Sequence, residues 1–142
     1  MKRGFTLLEI IVVIIIIGVL ATLGFMQYSA VIEKARGAEA KATIGALRTQ
    51  LAALALERGE NTSVGASDIG IGSGIPGPSS CAGTNYFRYN VGTGCTAGNC
   101  TLTATRCTSG GKNPQAPSGF NGSISLTYSS SGTDNWTSTG GY

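Results

Sequence analysis

The chain has 142 residues, with ten Lys and Arg against seven Asp and Glu, a net charge of +3 and no histidine. Without histidine the commonest general base and any histidine-ligated metal are excluded, and so small a charge demands no nucleic-acid partner. The length allows one modest domain beside a long helix, and past residue 59 Gly, Ser, Thr and Asn dominate, a composition of exported, loop-rich β domains more than of cytosolic enzymes.

The first predicted element is an apolar helix. Residues 10–32 read IIVVIIIIGVLATLGFMQYSAVI, and no charged side chain lies between Glu9 and Glu33. The run exceeds the roughly 20 apolar residues that a bilayer crossing needs. Ahead of it stand Lys2, Arg3 and Gly4, a basic tip that leaves no room for an ordinary secretory leader and biases the start of the chain to the cytoplasmic side. Glu9 is the anomaly, since an acid at membrane depth costs on the order of 3 kcal/mol and is kept where it finds a partner. Gly18 and Gly24 are the soft points of the helix, each costing about 1 kcal/mol relative to Ala; they suit either local unwinding or close helix packing.

Lys2-Arg3-Gly4 followed by Phe5-Thr6-Leu7-Leu8-Glu9 and a β-branched apolar helix resembles the class III signal of type IV pilins and the related pseudopilins, most of all that of a type IVa major pilin. The resemblance covers Lys2 to about Tyr28. It implies that a prepilin peptidase cuts between Gly4 and Phe5 and that Phe5 is then N-methylated. It further implies that Glu9 is the assembly acid, facing the terminal amine of a neighbouring subunit. Many members carry a Pro where this chain has Met26, so the resemblance leaves open whether the helix melts between Gly18 and Met26.

From residue 33 the pattern changes. Glu33, Lys34, Arg36, Glu39, Lys41, Arg48, Glu57 and Arg58 enter as a polar side, while Ile44, Leu47, Leu51 and Leu54 recur at steps of three and four, which predicts an amphipathic continuation of the same helix. Arg58 and Gly59 form a stop signal. Counted from Phe5, such a helix would run about 80 Å, which suits copies bundled side by side. Residues 59–80 hold scattered Gly and Pro with isolated Val64, Ile69 and Ile71, the pattern of a loop whose aliphatics dock on a core. Their glycines are not a phosphate cradle, because no strand precedes them and no Lys-Ser or Lys-Thr follows.

Beyond residue 81 the chain turns β. Strands are expected at residues 86–91, 101–107 and 123–128, with a last one around Trp136 after a turn at 129–134. The expected fold class is α+β, a long N-terminal helix packed on a small antiparallel sheet, which is also the headgroup plan of pilins. The divisions are a leader at 1–4, the membrane and filament-core half of the helix at 5–32, its amphipathic half at 33–58, the Gly/Pro loop at 59–80 and the sheet domain at 81–142.

Cys81, Cys95, Cys100 and Cys107 all fall in that last division. An even number in an exported domain favours two disulfides, and the spacing lacks the close pairs of a zinc ribbon. Three pairings are open, of which Cys95 with Cys100 across residues 96–99 and Cys81 with Cys107 is preferred. Arg88, Arg106 and Lys112 suggest a small solvated basic face, for which DNA is the weakest of the partners considered. Tyr28, Tyr86, Tyr89 and Trp136 read as packing and interface residues.

No nucleophile sits beside a base, so neither a catalytic residue nor a cofactor is expected, and the enzyme reading is set aside. The resemblance implies a structural subunit of a type IV pilus, supporting adhesion, motility or DNA uptake. Its partners would be further copies in a helical filament, the prepilin peptidase and the inner-membrane pilus assembly machinery. It would reside in the inner membrane as a prepilin and on the cell surface when assembled. The alternatives are a pseudopilin of a type II secretion or competence system, disfavoured because only Asp134 lies where a calcium loop is expected, and a minor tip pilin acting as adhesin or DNA-binding module.

Overall fold

In the computed structural model, which describes residues 5–117 and 120–142, helix α1 runs unbroken over Leu7–Arg58. Its start is set by Thr6, whose Oγ1 accepts the backbone N–H of Glu9 at 3.3 Å and so satisfies one of the donors left open in a first turn. Its end is set by Gly59 at φ +91°, a left-handed position that only glycine takes without strain. There the Gly59 N–H reaches the Ala55 carbonyl, and Thr62 Oγ1 donates to the Arg58 carbonyl at 2.7 Å.

The chain divides into two units after Ile32. In the first, the apolar side chains are exposed, Ile15 at 59% and Leu20 at 62%, because a lone helix apolar on every side hides nothing beyond what its own neighbours cover. The second unit, from Glu33 on, has its own core. Strands β1 (Phe87–Val91), β2 (Asn99–Arg106), β3 (Ser123–Ser129) and β4 (Asn135–Ser138) form one antiparallel sheet in sequence order. Phe87, Tyr89, Cys100, Leu102, Ala104, Ile124, Leu126 and Tyr128 project from one face and join Ala40, Ile44, Leu47 and Leu51 of α1 in a single buried cluster. Alternation puts hydroxyls on the opposite face, where Thr101 meets Thr127 at 3.3 Å and Thr103 meets Ser125 at 3.1 Å.

The loop after α1 is pinned at several points. Val64, Ile69 and Ile71 are buried in the core, and a 3₁₀ turn covers Ala66–Ile69. The loop's backbone bonds the hairpin at Thr62–Ala97 and Val64–Cys95, and Pro76 accepts the Tyr89 N–H on the outer edge of β1. Cys81 is joined to Cys107 and Cys95 to Cys100. In a domain this small each such bridge typically contributes about 2–5 kcal/mol.

The stripe that closes the core sets a direct test. Leu47→Ala, at a site 1% exposed, is expected to lower the stability of the domain by about 2–5 kcal/mol. Leu56→Ala, at a site 91% exposed, should change it by less than about 0.5 kcal/mol. Denaturant midpoints of the two variants make the comparison.

Candidate functional site

The residues singled out for processing and assembly lie at the head of α1. Gly4 is outside the described residues. Phe5 is 78% exposed just ahead of the helix. Glu9 sits in the first turn of α1, third after the capping Thr6. Thr6-x-x-Glu9 therefore has the spacing of a capping box, and the partial positive charge of the helix start favours an acid there. This local role was legible as a sequence pattern and escaped the membrane-based reading of Glu9. Gly18 and Gly24 interrupt nothing in the helix, and a Cβ at either would meet nothing within 4 Å.

Residues 1–25 match the family model of the prokaryotic N-terminal methylation motif. That motif is the class III signal of type IV pilins and pseudopilins, and the α+β plan behind it is pilin-like. Signal and apolar helix together fit a membrane-anchored precursor. No solved structure matches the chain.

A second cluster of charged residues was not anticipated. Glu33 belongs to the buried stripe of α1, at 0% exposure, and Arg106 on β2 is 2% exposed. The sequence pattern puts Glu33 on the polar side of the helix and Arg106 on a solvated basic face; the structure buries both, because each is the other's counter-charge. Arg106 Nε donates to Glu33 Oε1, and Arg36 Nη1 donates to Glu33 Oε2 at 2.6 Å. The other Arg106 nitrogens donate to the carbonyls of Tyr86 (3.0 Å), Cys107 (3.2 Å) and Pro114 (3.0 Å), so the guanidinium is nearly saturated. The Tyr142 hydroxyl donates to the Phe120 carbonyl at 2.6 Å and lies 3.2 Å from Glu33 Oε1. Its ring meets Phe87 and Phe120 edge-on.

Burial pushes the Glu33 carboxyl up, but the bonds from Arg106 and Arg36 outweigh it and hold the group below its ordinary value of 4.5. Burial first, and then the Glu33 charge, push the Tyr142 hydroxyl above its ordinary 10.0. The signal for Glu33 was present in the register: it precedes Gly37, Ala40, Ile44, Leu47 and Leu51 at steps of four, three, four, three and four. A charge on that stripe requires an opposite charge from the sheet.

The sign of the linkage follows from the lowered acid. The unfolded chain takes up the Glu33 proton first as pH falls, so this contribution is complete above the ordinary value of 4.5 and fades as pH drops through the folded value. Glu33→Gln is expected to cost about 3–5 kcal/mol at neutral pH, because Arg106 stays buried without its counter-charge. It should also flatten the acid limb of stability against pH. Denaturant midpoints taken from about pH 3 to pH 7 read both effects; an equally steep acid limb in the variant would remove Glu33 as its source.

Proposed function

We propose that the chain is a structural subunit of a type IV pilus filament, cut between Gly4 and Phe5, methylated on Phe5 and assembled through α1. The observation that carries this reading is a methylation signal at residues 1–25 set on a helix whose large apolar side chains from Ile10 to Phe25, and Val31, are exposed. The domain behind that helix already closes its own core, so the unsatisfied surface belongs to the helix. Lipid can cover it in the precursor, and the same helices of other copies can cover it in a filament. In that bundle Glu9 meets the methylated terminus of a neighbour, a pairing that sets register more than it adds stability. Gly18 and Gly24 then permit close approach or unwinding of the assembled helix. Asp134, where a pseudopilin calcium loop is expected, is instead paired with Arg48 at 2.5 Å, which favours the pilus over the secretion piston.

Membranes containing the precursor, treated with a prepilin peptidase, are expected to yield a chain lighter by residues 1–4; a product still beginning at Met1 would sink the proposal. Glu9→Ala should insert in the membrane as the parent does and fail to appear in filaments sheared from cells. Filaments of normal yield from that variant would remove Glu9 from the register role.

A further inference from the structure

Three cations crowd around one aromatic ring of the second unit. Arg36 Cζ lies 4.9 Å, Arg106 Cζ 5.0 Å and Lys112 Nζ 4.8 Å from the centre of the Tyr86 ring. A single carboxylate, Glu33, stands among them, and Arg106 and Arg36 already engage it. The group therefore carries an excess of positive charge that the face of the ring offsets only in part. Elsewhere along the domain helix the arginines are neutralised, Arg48 by Asp134 and Arg58 by Asp68. Among the described residues no salt bridge reaches Lys112 or Lys34, and both are exposed.

The place of this excess in the chain indicates what it meets. Lys34 and Arg36 are the second and fourth residues after Ile32, where the apolar run ends. A chain that leaves hydrocarbon at Ile32 enters the headgroup layer within the next turn of helix, and there basic and aromatic side chains are favoured. We propose that Arg36 and Lys112, gathered about Tyr86, together with Lys34, which precedes Arg36 by two residues on α1, form a contact surface for the phosphates of anionic lipids in the membrane that holds the apolar run. This rests on the membrane-resident reading of residues 10–32. Arg36 is 16% exposed on its side chain and bound to Glu33, so it supplies field, while Lys34 and Lys112 supply the contacts. Each cation at an anionic surface is worth roughly a fivefold preference over a neutral one.

The test uses the full-length chain in bilayer discs of phosphatidylcholine containing phosphatidylglycerol, with retained lipids counted by native mass spectrometry. The parent is expected to keep phosphatidylglycerol in preference. Lys34→Gln with Lys112→Gln, two exposed sites outside the core, should lose roughly fivefold per lysine with its near-ultraviolet dichroism unchanged. Equal retention by parent and variant would overturn the contact. So would retardation of duplex DNA by the same lysines without any lipid preference, which would assign the cluster to nucleic acid. A parent chain that does not enter the discs would overturn the membrane reading and the contact with it, and the absence of chain from the disc fraction distinguishes that failure from equal retention.

Discussion

The exposed apolar surface of α1 ahead of Glu33 is the constraint on which the rest of the molecule depends. A helix that is apolar on every side has no stable place in water. The core of the second unit takes Ala40, Ile44, Leu47 and Leu51 as the helix's contribution. The exposed side chains of this run, among them Ile15, Leu20 and Val31, need an apolar cover. Lipid and like helices are the two environments that meet this need without burying unpaired polar groups, because a helix satisfies its own backbone in either.

At Glu33 the apolar run has ended, and the chemistry changes with it. A carboxylate fully buried on the stripe would be prohibitive alone. Arg106 from the sheet and Arg36 from the next turn make it tolerable, and the carbonyls of Tyr86, Cys107 and Pro114 complete the shell of the arginine. Such a pair adds little net stability over an apolar replacement, but it punishes any arrangement that separates the partners. The pairing of one helix turn with the end of one strand thus ties the sheet to α1 in one register. Tyr142, packed on Phe87 and Phe120, closes the same corner.

The remaining stability comes from many small terms suited to a domain with a modest core. Two disulfides join segments that apolar burial alone would hold weakly, Cys81 with Cys107 and Cys95 with Cys100. The Gly-rich loop is fastened by Val64, Ile69 and Ile71 and by its backbone bonds to the hairpin. Close approach is part of that fastening: a Cβ on Gly98 would come within 2.7 Å of Glu60 Cβ. Cross-strand hydroxyl pairs such as Thr103 with Ser125 fill the outer face, where they add a few tenths of a kcal/mol to about 1 kcal/mol each.

Local and periodic features were decided by the chain alone. The basic tip, Phe5, Glu9 and the uninterrupted apolar run are read directly from neighbouring residues, and so are the helix stop at Arg58 and Gly59 and the period-two strands, because each depends on short-range sterics and spacing. The α+β class follows from those periods taken in order. Tertiary structure decided which charges face inward. Glu33 and Arg106 are far apart in sequence, and each alone resembles any surface charge; only the packing of β2 across α1 makes them partners. The same packing split the supposed basic face, burying Arg106, leaving Arg88 exposed and gathering Lys112 with Arg36 on Tyr86. Composition counts charges, but their burial and company are set by contacts between distant segments, and those contacts are fixed only when the sheet closes on the helix.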